Sequence, residues 1–101
     1  MSDDQNYDDG DVNEVDGNGV DAPRATAVLE HIVTSIVDDP DAVRVESTPD
    51  RGRVRLDVRV GPGDLGRVIG RRGRTAQSIR AVVRAAATRD DTDVDIEFLD
   101  D

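Results

Sequence analysis

From Arg53 to Val60 the chain alternates without interruption: Arg53, Arg55, Asp57 and Arg59 on one side, Val54, Leu56, Val58 and Val60 on the other. A period of two marks a strand with one apolar face and one wet face. Such a strand needs a covering layer on its apolar side only. A chain of 101 residues has room for one two-layer unit built this way.

The covering layer is legible on both sides of that strand. Order is expected to begin near Pro23. Val28, Leu29, Ile32, Val33, Ile36 and Val37 recur at helical spacing, and Pro40 closes that helix after Asp38-Asp39. Val43-Arg44-Val45-Glu46 reads as a short strand, and Thr48-Pro49-Asp50-Arg51-Gly52 as the turn of a hairpin. Gly61-Pro62-Gly63 ends the long strand. Asp64 is placed to cap a short helix from Leu65 to Ile69. A further helix is predicted from about Arg74 to Thr88, with Ile79, Val82, Val83, Ala86 and Ala87 on its apolar face. Val94, Ile96 and Phe98 alternate with Asp93, Asp95 and Glu97 in a last strand. The order is helix, strand, strand, helix, helix, strand. The helical crossover lets the last two strands lie parallel, so the expected class is α+β, a three-stranded sheet with helices on one face.

Residues 1–22 hold no periodic apolar pattern and are rich in Asp, Asn and Gly. They read as a disordered acidic tail ahead of a folded domain at 23–101. The favoured reading is a solubilising segment; an electrostatic lid that competes for the arginines is a second one.

The formal net charge of −10 argues against a polyanionic partner only as an average. Residues 51–89 hold eleven arginines against Asp57 and Asp64, whereas the acids crowd both ends of the chain. A polyanion-binding stripe is therefore compatible with an acidic protein. All 13 basic residues are Arg; compositional bias is the favoured explanation, and the usage is compatible with the bidentate grip of guanidinium on phosphate.

Catalysis and metal binding find little support. The chain has no Cys and one His, His31, which falls off the apolar stripe of its helix and reads as a solvated side chain. No nucleophile–base spacing stands out, and neither a cofactor nor a metal is expected. No apolar run approaches the roughly 18 residues of a membrane span, and the acidic N-terminus lacks a secretory h-region. A cytoplasmic location is the expectation.

Two glycine patterns compete for a functional role. Gly61-Pro62-Gly63-Asp64-Leu65-Gly66 matches G-x-G-x-x-G after a strand. Its helix is broken again at Gly70, and no acid stands in residues 81–89 to hold a ribose, so it reads as a plain strand-to-helix turn. The second run is Val68-Ile69-Gly70-Arg71-Arg72-Gly73-Arg74-Thr75-Ala76-Gln77-Ser78-Ile79. Glycine at both ends of a two-arginine tip permits a tight turn and a close approach by a sugar–phosphate chain. The helix that follows aims its free N–H groups and its positive dipole end at the same place.

This run, V-I-G-x-x-G followed by Ile at its twelfth position, resembles the KH domain, and the element order resembles the type II arrangement. Ile36 to Val45 and Asp64 to Ala76 carry a closer resemblance to the small bacterial KhpA (YlqC-type) family, over roughly residues 24–99. The resemblance implies single-stranded RNA binding, with Gly70, Arg71, Arg72 and Gly73 clamping the backbone. Arg67 and Arg74 flank the clamp, and Val68, Ile69 and Leu65 line an apolar groove for bases. Simple core packing is an equal alternative for those three. It further implies an RNA chaperone or post-transcriptional regulator, and pairing as a homodimer or with a second KH protein of the KhpB (Jag/EloR) type. An adaptor that acts mainly through such a partner is the alternative.

Several features qualify that picture. Tyr7 and Phe98 are the two aromatic residues, and neither is placed to stack bases. Arg89-Asp90-Asp91-Thr92 is expected to set an acidic edge on the groove. Arg53, Arg55 and Arg59 are expected to pair with Asp93, Asp95 and Glu97 across the sheet rather than contact RNA. Arg80 and Arg84 are expected on an exposed helix side.

Overall fold

Pro23 opens the first helix, α1 (Pro23–Ile36); its fixed φ suits the first helical position, where its missing N–H costs nothing. The computed structural model describes residues 21–99. The segment expected to be a disordered tail lies, over residues 1–20, outside the described residues, as do positions 100 and 101. Ala22 departs from the expected boundary: it is fully buried, and its carbonyl accepts the Thr26 N–H at 2.9 Å. The N-terminus of α1 has no cap from its own sequence. Asp90, far along the chain, supplies one: its carboxylate accepts the N–H groups of Arg24 at 3.2 Å and Ala25 at 3.0 Å. A carboxylate at a helix N-terminus answers both the open donors and the dipole.

A 3-10 turn at Pro40–Ala42 leads into the hairpin of β1 (Arg44–Asp50) and β2 (Arg53–Arg59). The turn is shorter than the sequence predicts. Thr48, Pro49 and Asp50 are strand residues opposite Arg55, Val54 and Arg53. Only Arg51 and Gly52 reverse the chain, with φ of 56° and 81°; two positive φ values match the twist of paired strands. Pro49 is accommodated because β1 is an edge strand, where a missing donor costs no ladder bond. After the helices α2 (Leu65–Ile69) and α3 (Arg74–Ala87), β3 (Val94–Leu99) returns parallel to β2. The sheet order is β1-β2-β3. The element order and the parallel crossover are those expected, and the class is α+β.

Val54, Leu56 and Val58 are buried, with Val60 half-buried after them. Val94 and Ile96 of β3 extend this face beside Val54 and Leu56, and Leu29 and Val33 of α1, Val68 of α2, and Ile79 and Val83 of α3 close over it. Both long helices are rotated slightly from the expected stripe. Their buried lines are Ala25-Leu29-Val33 and Ala76-Ile79-Val83-Ala87, while Val82 is 50% exposed. Where helices pack closely, small alanines serve as core and a bulkier neighbour is displaced outward.

The open face of the sheet carries the three arginines; Arg53 pairs as expected, whereas Arg55 and Arg59 take other partners. Arg53 holds Asp95 through two bonds of 2.9 and 3.0 Å and reaches Asp93 at 3.5 Å. Arg55 pairs with Asp57 on its own strand at 3.3 Å, and Arg59 with Glu46 of β1 at 3.5 Å. The register explains Arg59: Leu99, not an acid, lies opposite it on β3. His31 is exposed, as expected.

Leu56→Ala should lower the unfolding free energy in urea by about 3 kcal/mol through the cavity it leaves, whereas Val82→Ala should change it by less than about 0.5 kcal/mol. The Arg53 hydrogen bond holds the Asp95 carboxyl below its ordinary value, and its charge adds to that effect. A depressed folded pKa contributes stability that is present above the unfolded carboxyl value, about 3.9, and is lost as pH falls through the folded one. In Arg53→Ala, a carboxyl NMR titration should find the Asp95 pKa moved up; an unmoved value would show that the pair does not govern it.

Candidate nucleic-acid interface

The site begins where β2 ends. Asp64 does not cap α2 with its side chain, contrary to expectation. Its carboxylate turns inward, is 2% exposed, and accepts the backbone N–H groups of Asp38 at 3.1 Å and Asp39 at 3.0 Å. Arg67 adds its Nε at 3.3 Å. These donors satisfy the hydrogen-bonding needs of a buried carboxylate. The arrangement ties the start of α2 to the turn after α1. Arg67 also reaches Asp38 with Nη2 at 2.9 Å. Its charge is thus met by two acids, and among the expected contact residues it is the one already engaged.

The apolar trio separates. Val68 is fully buried in the core, so its side chain cannot touch a ligand; here the packing alternative holds. Leu65 and Ile69 are half-buried and pack on the core from the edge, with part of each surface open.

At Gly70 the backbone takes φ 76° and ψ 175°. A Cβ there would overlap the Thr75 side chain, whose Cβ would lie only 2.6 Å away. Only glycine fits, for its backbone angle and for the space. The Gly70 N–H closes α2 on the Gly66 carbonyl at 2.9 Å, and the Gly73 N–H bonds the Gly70 carbonyl at 3.2 Å. Arg72 is left-handed at φ 57°, as is Gly73 at φ 73°. Three positive φ values in four residues break the helical path, so residues 70–73 form a distinct turn between α2 and α3. Arg71 and Arg72 are exposed at its tip, and Arg74 is exposed at the first position of α3. Apart from its own chain neighbours, nothing lies within 4 Å of where a Gly73 Cβ would be, so approach from that side is open. No side chain caps α3; the Arg74 N–H bonds the Arg71 carbonyl, and the positive dipole end of this 14-residue helix lies beside the two guanidinium groups.

The expected surroundings change in two places. Arg80 is not free: its Nε bonds the Ile96 carbonyl at 3.3 Å, and its guanidinium lies 5.2 Å from the centre of the Phe98 ring. The Arg89–Thr92 loop lies at the far end of α3 from the Gly70–Gly73 turn, and Asp90 there caps α1. It does not edge the apolar groove. Spacing alone hid the Asp64 anchor and the Gly70–Thr75 contact, since both depend on distant or folded partners. Among the described residues there is no group of three or more His, Cys, Asp or Glu able to hold a metal, and no helix long and apolar enough to cross a membrane.

An α+β sheet with a glycine-bounded turn presented between two helices defines a KH domain. Residues 26–98 match the family model for the KhpA/KhpB KH domain, and the chain belongs to that family. It is 42% identical over 73 residues to a protein of Halalkalibacterium halodurans, covering 72% of this chain and 96% of that one. Over 62 residues it is 60% identical to one of Streptomyces coelicolor, covering 60% and 77% respectively. It is 55% identical over 75 residues to one of Leifsonia xyli subsp. xyli, covering 72% and 93%. Each of the three is called RNA-binding protein KhpA.

Gly70→Ala combines a glycine-only backbone region with overlap on Thr75 and should cost more than about 3 kcal/mol. Gly73→Ala meets open space and should cost about 1–2 kcal/mol for its left-handed φ. Urea unfolding of the two variants checks the order; equal costs would contradict the packing at Gly70.

Proposed function

We propose that the chain is a cytoplasmic single-stranded RNA-binding protein, an RNA chaperone or post-transcriptional regulator, that grips the sugar–phosphate backbone with Gly70, Arg71, Arg72 and Gly73. One observation carries this reading: two exposed arginines and an uncapped helix N-terminus converge on a turn whose far side is open at Gly73. Phosphate oxygens can accept from backbone N–H and guanidinium at once, and those charge-assisted bonds are the strong ones. Arg74 extends the charge along the strand's path. Leu65 and Ile69 offer an aliphatic rest for bases, while Val68 and Arg67 support the turn from beneath and behind. The relatives named for RNA binding support the same reading. The protein is a binding module and not an enzyme.

Grip without an aromatic platform makes binding weak, sequence-tolerant and electrostatic. With about three phosphates neutralised, log affinity should fall with log salt at a slope of roughly −2, a loss of about 20-fold between 50 and 200 mM. The double variant Arg71→Asp with Arg72→Asp should abolish binding of a fluorescent oligouridine in anisotropy titrations while leaving the melting temperature unchanged. Retained affinity would overturn the loop assignment.

A second reading, a KH-shaped adaptor acting through a homodimer or a KhpB-type partner, is favoured by one surface. Val82 is exposed on α3 near a shallow groove between α1 and α3, lined by Ala27, Val28, Ala85 and Ala86. A strictly monomeric chain in light scattering, with undiminished RNA affinity, counts against it.

A further inference from the structure

We propose that the Thr75 hydroxyl is a further RNA contact: it donates a hydrogen bond to a phosphate oxygen of the strand held at the Gly70–Gly73 turn. The proposal rests on the reading of that turn as the RNA site and adds a neutral donor to it.

Thr75 is the second residue of α3 and is half-buried. Its Oγ1 is the atom nearest to where a Gly70 Cβ would lie, which puts the hydroxyl against the first residue of the turn. A serine or threonine inside a helix commonly bonds back to a carbonyl three or four residues earlier. Three hydroxyls of α1 do so: Thr26 to the Ala22 carbonyl at 2.8 Å, Thr34 to Glu30 at 2.8 Å, and Ser35 to His31 at 2.6 Å. The Thr75 hydroxyl has no hydrogen-bond partner among the described residues. The residues that would supply one, Arg71 and Arg72, belong to the turn, and left-handed backbone at Arg72 and Gly73 breaks the helical path there. Ser78, the other hydroxyl of α3, is exposed and open to water.

A part-buried donor without a partner in its own chain favours an acceptor from outside. The charges around Thr75 select that acceptor. Arg71, Arg72 and Arg74, all exposed, precede it by four residues or fewer, so the oxygen drawn to this turn is a phosphate's. A hydrogen bond to an ionised oxygen is stronger than one to a neutral partner. The hydroxyl carries no charge, so it adds affinity without adding salt dependence.

Anisotropy titrations of the full chain with fluorescent oligouridine test this in Thr75→Ser, Thr75→Val and Thr75→Ala. Serine keeps the hydroxyl and drops the methyl; valine keeps the volume and branching and drops the hydroxyl. Affinity should stay within about twofold of wild type in Thr75→Ser and fall about tenfold in both Thr75→Val and Thr75→Ala. The salt slope should be unchanged in all three, whereas loss of one arginine contact lowers it by about 0.7. A Thr75→Ser variant as weak as Thr75→Ala overturns the proposal, because the methyl's packing then matters and the hydroxyl does not. Wild-type affinity in all three variants overturns it as well. The same drop is expected on oligodeoxyuridine; its absence there would assign the hydroxyl to the ribose and overturn the phosphate contact. Failure of the turn reading looks different: the wild-type chain then binds no oligouridine, or Arg71→Asp with Arg72→Asp binds it undiminished, and the proposal falls with that reading.

Discussion

Thr75 occupies the space in which any side chain at position 70 would have to sit, and the backbone at Gly70 takes an angle that other residues avoid. Because of that close approach, α2 can end and α3 can begin within four residues. The two exposed arginines and the N-terminal end of α3, which no side chain caps, consequently share one small surface. A longer or looser connection would separate the charges from the amides. The other end of α2 is fixed as firmly. A five-residue helix has no stability of its own. It is held by Val68 in the core, and by the Asp64 carboxylate on the turn after α1. The site is therefore rigid because the core is, and a fault in either anchor would reach the loop.

Charge follows the same logic of assignment. A chain with a net charge of −10 meets a polyanion only if its positive groups are sorted. The sheet's open face takes up Arg53, Arg55 and Arg59 in pairs; Asp38 and Asp64 take up Arg67; the Ile96 carbonyl and the Phe98 ring take up Arg80. The exposed pairs among these, such as Arg53–Asp95 and Arg67–Asp38, contribute little to stability. Their larger consequence is spatial: among the described residues, Arg71, Arg72 and Arg74 remain, within four positions, as three exposed guanidinium groups without an ion pair.

Most of the fold was legible in the sequence because it follows from periodicity. The alternation at Val54, Leu56 and Val58 and the helical stripes produced the element order and the parallel crossover without reference to any partner. What escaped has physical causes. Proline and turn-forming residues at Thr48, Pro49 and Asp50 read as a loop, yet an edge strand tolerates them. Alanines 25, 76 and 87 carry little hydrophobic signal, yet they are buried while Val82 is left outside. The turn itself was legible because glycine at both ends is a local requirement. The roles of Asp64, Asp90 and Arg80 were not, because each depends on a partner 16 or more residues away in sequence. Val68 remained ambiguous between groove and core until its burial was known.

The two aromatic residues give the proposed function its character. Tyr7 lies outside the described residues, and Phe98 is half-buried against Arg80, so no described aromatic face is left free to stack bases, an interaction worth roughly 1–3 kcal/mol per base where it exists. Discrimination among bases must then come from the modest aliphatic surface of Leu65 and Ile69, and most of the affinity from charge and backbone amides. A site of that kind reads the polymer rather than the sequence. It also cannot distinguish strongly between phosphate and any other dense array of anions, carboxylates included. Phosphate retains an advantage at such a turn, since three oxygens per group can satisfy guanidinium and helix N–H donors together.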